Sequence, residues 1–383
     1  MRLRVLSLLL PLAALAGCAG RETAFKMHVI NAESPYEGVG VFDVNRDGRL
    51  DILCGKYWYE APNWNRHFVR EIEALHGYHQ TFSDLPLDVD GDGWTDTICV
   101  SWFNKRISWI RNPGKPDATW EEIAVDEPGN IETAVLADVN ADGRMDVLPN
   151  IFNGRAAWYE CRPDRAAPHG AVWVRHPLPD ELLGPGIGLG DINGDGRPDI
   201  VGCKGWAESP PDVRTNRNAV WTWHGEFDLR DPGIPILVHD VDGDGDADVI
   251  WGIGHNYGLY WLEQEKNAIG ERVWAQHEID KSWSQAHVTL LGDLDGDGRQ
   301  DLVTGKRYHA HDTDPGAEDP RCLYWYTFDR AARRWQRHVI QEGGAAGTGT
   351  SSALVDIDRD GDLDLVAPGK SGLFLFENLR IQR

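Results

Sequence analysis

Positive charge is scarce in this chain. Its 383 residues carry 38 Lys and Arg against 61 Asp and Glu, a formal net charge of −23. Nucleic acid and anionic membrane surfaces would repel such a protein, so neither is expected as a partner. Helical periodicity is missing, and the apolar run from Val5 to Ala16 is too short to span a bilayer. Cysteine is sparse, and the five beyond residue 18 (Cys54, Cys99, Cys161, Cys203 and Cys322) are odd in number. Cys54 and Cys99 sit at matching places in two strands, which suggests buried apolar filler and not a disulfide framework. What the chain has in quantity is 17 Trp, 10 Tyr and 10 Phe, too many apolar rings for a disordered acidic protein. Its 42 Gly and 21 Pro imply many tight turns and an all-β fold.

Arg2 and Arg4 precede the apolar run, which ends in Leu15-Ala16-Gly17-Cys18. This segment resembles a bacterial lipobox. The resemblance implies a signal peptide over residues 1–17, lipid attachment at Cys18 and a lipidated tether over 18–24. Neither Ala19 nor Gly20 is acidic, so an exported lipoprotein on the outer membrane, periplasmic or cell-surface, is expected in a Gram-negative host. Membrane contact would then run only through the anchor. An ordinary secretory peptide with a chance cysteine is the alternative.

One pattern, D-x-[DN]-x-D-G-x-x-D, occurs seven times at spacings of 45 to 63 residues. Alternating oxygens, a turn glycine at the sixth position and a closing carboxylate suit a hard cation with oxygen ligands. Calcium is expected, because magnesium resists losing its water to a protein cage. The candidate ligands begin with Asp43, Asn45, Asp47 and Asp51, then Asp88, Asp90, Asp92 and Asp96. The third and fourth copies offer Asp138, Asn140, Asp142 and Asp146, and Asp191, Asn193, Asp195 and Asp199. The fifth and sixth offer Asp240, Asp242, Asp244 and Asp248, and Asp293, Asp295, Asp297 and Asp301. The seventh offers Asp356, Asp358, Asp360 and Asp364. These positions hold 25 of the 61 acids, so much of the negative charge belongs to the loops. Up to seven structural calcium ions are expected; metal-free Asx-turns are the alternative.

Around each loop the context also repeats. A Gly-rich or alternating lead-in is followed by an apolar strand such as Ile52-Leu53-Cys54. An aromatic strand such as Tyr57-Trp58-Tyr59-Glu60 comes next, and then one of the form W-x-x-H-x-[VI], as in Trp335 to Ile340. Four strands per repeat and seven repeats predict a seven-bladed β-propeller over residues 25–378, with a C-terminal tail over 379–383. The seventh repeat stops after its third strand, Gly372 to Glu377. Residues 25–30 fit the fourth-strand pattern, so this N-terminal strand is expected to complete the last blade and close the ring. The repeats resemble the FG-GAP, or VCBS-type, family across essentially this whole span.

Histidine separates scaffold from site. His28, His67, His176, His224, His277 and His338 belong to the fourth-strand pattern, which implies packing or surface roles. His239 directly precedes a loop and His169 lies in an insertion. Six remain: His76, His79, His255, His287, His309 and His311. All fall in segments entering a first strand or leaving a second one, which share the face opposite the Asp loops. His255, His287, His309 and His311 come from neighbouring segments, and a cluster of imidazoles with an open position suits catalytic zinc; polar rim residues are the alternative. Glu37 and Glu132 share with His287 the position six before a first loop Asp. Lys56, Lys204 and Lys306 share the position five after a last one. Trp102, Trp206 and Trp283, outside the strand pattern, would suit stacking on sugar rings or packing between blades.

The stretch from Tyr36-Glu37-Gly38 to Glu60, Gly129-Asn130-Ile131-Glu132, His255-Asn256-Tyr257-Gly258-Leu259 and the run from Lys306 to His311 are similar to the propeller domain of aldos-2-ulose dehydratase. The resemblance implies a zinc-dependent lyase that eliminates water from a keto-sugar such as 1,5-anhydrofructose. It further implies zinc at His255, His287 and His311, a base or acid at His79 or Glu132, and enolate stabilisation by Lys306 or Arg307. The chain has no residues for the cupin modules of the fungal enzyme. A non-catalytic glycan- or protein-binding propeller of integrin or lectin type and a polysaccharide lyase are the alternatives. The sequence names no protein partner.

Overall fold

A computed structural model describes residues 23–216, 218–310 and 312–380. The signal-peptide segment, Cys18, most of the tether, His311 and residues 381–383 lie outside the described residues. The rest forms seven four-stranded antiparallel sheets arranged as a seven-bladed propeller. Among the described residues, helix is limited to two short 3₁₀ turns, Pro168–Gly170 and Asp180–Leu182. The closing blade takes Ala353–Val355, Asp364–Gly369 and Gly372–Asn378 from the C-terminal end and Phe25–Asn31 from the N-terminal end. Phe25 pairs with Asn378 and His28 with Leu375, as the truncated last repeat requires.

The core is divided among the seams between blades. Seven apolar clusters each join two neighbours: Ile52 and Tyr59 of blade one meet Val366 and Leu375 of blade seven, and Phe42 and Trp58 meet Cys99 and Ile110 of blade two. The seam between blades seven and one is as apolar as the others, so burial as well as strand pairing closes the ring. First strands crowd one another toward the axis. A Cβ on Gly40 would stand 2.4 Å from Asp84 O and one on Gly188 2.0 Å from Ile236 O, which explains the Gly-rich lead-ins.

The fourth-strand histidines serve the scaffold. His67, His176, His224 and His277 stack on Trp58, Trp158, Trp206 and Trp261 at centroid distances of 3.9–4.7 Å. Each also bonds a glutamate two residues beyond its Trp, as His176 does with Glu160 at 3.1 Å. Trp206 is thus a buried strand residue of blade four, and Trp283 is buried with its Nε1 donating to the Tyr326 hydroxyl at 2.9 Å. Neither is the exposed platform that its place in the sequence suggests. The five cysteines are free and buried.

Asp84 ties blade one to blade two by accepting the Gly55 N–H and the Thr81 hydroxyl, each at 3.1 Å. Burial pushes its pKa up to about 6 despite those bonds and Arg70. A folded pKa above the unfolded value means a contribution to stability that is present below about pH 4 and lost as pH rises toward 6. Asp84→Asn should therefore gain on the wild type by roughly 1–3 kcal/mol between those limits. Urea unfolding of both proteins at each pH checks this, and a difference independent of pH would refute it.

Candidate active site

The loops and the histidines lie at opposite ends of the inner strands. At the loop end, the sixth-position glycines adopt φ between +83° and +99°, the left-handed turn that frees the chain to wrap its oxygens inward. In loops two, five, six and seven, three carboxylates place one oxygen each within 4.8 Å of one another: Asp88, Asp90 and Asp96; Asp240, Asp242 and Asp248; Asp293, Asp295 and Asp297; Asp356, Asp358 and Asp360. Where the third position is Asn45, Asn140 or Asn193, Arg49, Arg144 or Arg197 pairs with the fifth-position Asp47, Asp142 or Asp195. Arg299 pairs in the same way with Asp297.

The ninth-position carboxylates have a second role that the spacing did not reveal. All seven are buried and accept the second-position N–H at 2.9–3.2 Å. For Asp51, Asp96, Asp199, Asp248 and Asp364 the other oxygen accepts an N–H at the end of the third strand. They fasten each loop to its blade. Burial raises the pKa of all seven, to about 6 for Asp51 and about 8 for Asp146. Asp88 Oδ1 and Asp146 Oδ1 are buried without a hydrogen-bond partner. Clustered oxygens, penalised negative charge and unsatisfied lone pairs fit a divalent cation.

At the other end, the position six before each loop forms an axial ring that includes Glu37, Phe82, Glu132, His287 and Thr350. Arg307, 1% exposed, reaches into this ring from blade six. Its Nε donates to Glu37 Oε1 at 2.8 Å and its Nη1 to Glu132 Oε1 at 2.6 Å, with His287 Nδ1 3.4 Å away. Burial opposes the guanidinium charge, but the two carboxylates outweigh it and raise the pKa. One side chain thus joins blades one, three and six. Arg307→Ala would leave two buried carboxylates unpaired and should destabilise the fold by about 3–5 kcal/mol. A denaturant midpoint for Arg307→Ala equal to wild type would refute the linkage.

His287 is 3% exposed and lies 3.6 Å through Nδ1 from Glu132 Oε1. Gly254 makes room for it, since a Cβ there would stand 3.2 Å from the imidazole. His255 faces it at a centroid distance of 5.4 Å and an interplanar angle of 84°. Asp231 Oδ2 holds His255 twice, through Nδ1 at 2.5 Å and the backbone N–H at 3.2 Å. That bond to Asp231 raises the His255 pKa against the effect of burial. Asp231 was not among the residues expected from sequence; it stands nine positions before Asp240, off the repeat register, where Ile234 fills the ring position. His255, Glu132 and Arg307 line a cavity of about 280 Å³ whose remaining walls are Tyr78, Phe82, Trp102, Phe103 and Phe152.

The other expected residues sit elsewhere. Lys306 is fully buried, and its Nζ donates to Ser284 Oγ, Gln285 Oε1 and Gly316 O at 2.9, 3.2 and 2.6 Å. It braces the turn at Gln285, a non-glycine residue at φ +61°, and does not line the cavity. His79 packs edge-on against Tyr36 at 4.9 Å and also lies outside the lining; burial, then Lys56 and Lys370, lower its pKa. His76 and His309 are exposed, the latter paired with Asp312 at 3.0 Å. Lys204 is exposed, and Lys56 pairs with Glu71 on the surface.

An imidazole whose Nδ1 donates to a carboxylate is suited to hold a zinc ion through Nε2, because the outer carboxylate fixes ring and tautomer. His255 fits that role through Asp231, whereas His287 Nδ1 lies nearer the Arg307 Nη1 donor, at 3.4 Å, than Glu132 Oε1, at 3.6 Å. His311, the third expected ligand, lies outside the described residues.

Comparison with known proteins agrees with this architecture. Residues 88–148 and 240–304 match the FG-GAP-like repeat family, in keeping with the propeller architecture. The solved structure of the exotype rhamnogalacturonan lyase YesX is similar, with a TM-score of 0.52 and 10% identity over 94% of this chain and 74% of that one. Rhamnogalacturonan lyase YesW gives 0.51 and 12% over 94% and 75%. At such identities the likeness is one of fold. No curated protein sequence matches the chain.

Proposed function

We propose that the axial cavity is the active site of a lyase that eliminates water from a keto-sugar such as 1,5-anhydrofructose, in the manner of aldos-2-ulose dehydratase. The observation that carries this reading is the convergence of His255, Glu132 and Arg307 in the lining of one cavity, with His287 beside each of them. His255 and His287, with His311, would hold zinc, which when bound polarises the keto oxygen and acidifies the neighbouring C–H. Glu132, hydrogen-bonded by Arg307 Nη1, takes that proton as base. The Arg307 charge stabilises the developing enolate oxygen. The protonated Glu132 then gives its proton to the departing hydroxyl, so a C–H and a C–O bond break, a C=C bond forms and water leaves.

The Asp loops are proposed to bind calcium as structural braces, and the N-terminal segment to anchor an exported protein through Cys18. A polysaccharide lyase is the second reading; a cavity of about 280 Å³ suits a short substrate better than a polymer chain. A glycan-binding propeller without chemistry is the reading from another class. Mixing the protein with 1,5-anhydrofructose should produce a rising enone absorbance that His255→Ala and His287→Ala abolish together with bound zinc. Calcium without a transition metal in the purified protein, and no enone, would refute the proposal.

A further inference from the structure

The cavity lining is of two chemical kinds, and the reaction proposed above uses only one. Beside Glu132, His255 and Arg307 the lining consists of Tyr78, Phe82, Trp102, Phe103 and Phe152. These rings come from blades two and three and are fixed in place. Gln80 Oε1 accepts the Phe103 and Asn104 N–H groups at 3.1 and 3.2 Å, and Asn130 Nδ2 donates to Trp102 O at 3.0 Å. Trp102 meets Phe152 edge-on at 4.7 Å, and Tyr78 lies 5.8 Å from Phe103. Tyr78, Trp102, Phe103 and Phe152 are only partly buried, so apolar ring surface is left facing water.

Preformed aromatic surface of this extent is relieved when an apolar group covers it. A sugar ring offers one small C–H face, and the hydroxyls around its edge need polar partners that this wall does not present. A flat apolar group fits it without that penalty. We infer that the substrate is a glycoside with an aromatic aglycone. Its sugar lies against Glu132, His255 and Arg307, and its aryl ring lies against Trp102, Phe103 and Phe152. The inference rests on the reading of this cavity as the substrate site and adds the class of the group that flanks the reacting sugar, the departing hydroxyl being on the sugar itself.

Calorimetric titration of the metal-loaded protein with glucosides that lack a keto group tests binding apart from turnover. Phenyl β-D-glucopyranoside should bind at least about tenfold more tightly than methyl β-D-glucopyranoside, and more tightly than cellobiose. Phe152→Leu and Trp102→Leu, which keep apolar volume but remove a ring, should each cut that preference to about threefold or less while the methyl glucoside is unaffected. Equal affinities, tighter cellobiose, no detectable binding of either glucoside, or a preference that survives both substitutions would overturn the inference. Aryl preference without elimination of any keto-sugar would leave it standing and remove the lyase reading. Elimination without aryl preference would do the reverse.

Discussion

Glu132→Gln should lower the rate of enone formation by about 10²–10⁴-fold while the melting temperature stays within a few degrees of wild type. Gln keeps the size and the oxygen that accepts from Arg307 Nη1, so the bridge to Glu37 across the axis survives in part. What it removes is the basic oxygen beside the cavity. His79→Gln is the matched control. Its ring packs on Tyr36 outside the lining, so its rate should remain within a factor of about three. Steady-state rates on 1,5-anhydrofructose decide between them. A Glu132→Gln rate within about tenfold of wild type would remove Glu132 as the base, and a large loss in His79→Gln would move that role to blade two.

Chelation of calcium should lower the melting temperature by on the order of 10 °C or more, and added calcium should restore it where equal magnesium does not. Each loop holds acids that the metal-free fold must keep close together, and the ninth-position carboxylate is buried in every blade. A site saturated about a hundredfold above its Kd adds roughly 2.7 kcal/mol, so several sites together exceed the stability of an ordinary domain. Loops five and seven, with acids at all four ligand positions and no arginine paired with the fifth-position Asp244 or Asp360 among the described residues, should hold the ion most firmly, whereas Arg111 pairs with Asp90 and Asp92 of loop two. Differential scanning calorimetry with and without chelator provides the measurement, and a shift under about 2 °C would mean that the loops stand as Asx-turns without metal.

Much of the scaffold was legible because its demands are local. A glycine at φ near +90° between alternating oxygens is required by the turn itself, so seven copies could be counted and spaced without coordinates. The missing fourth strand of the last repeat and the spare one at Phe25–Asn31 were complementary for the same reason. Histidines of the fourth-strand pattern could be set aside as packing, and five of them stack on the Trp directly opposite on the adjacent strand.

The site was legible only in part. Glu37, Glu132 and His287 share one offset, and that offset does bring them to one ring. Lys306 and Arg307 are consecutive, so their side chains leave the strand end in different directions, and nothing in the sequence says which of them turns inward. The Gln285 turn captures the lysine and leaves the arginine to the axis. Asp231 escaped notice because it obeys no repeat register, and Phe103 and Phe152 because an aromatic residue in a loop carries no local signal of what it faces.

By itself, then, the sequence determined the number of blades, the order of strands within them, the cation-type loops and the closure of the ring. Each follows from backbone geometry and from periodic burial within about fifty residues of chain. Only the tertiary structure decided which polar residues meet at the axis and that aromatic rings line the same cavity. Those neighbours come from blades one, two, three, five and six, and their distances are set by the packing of whole sheets around a closed ring, a condition that no short stretch of chain contains.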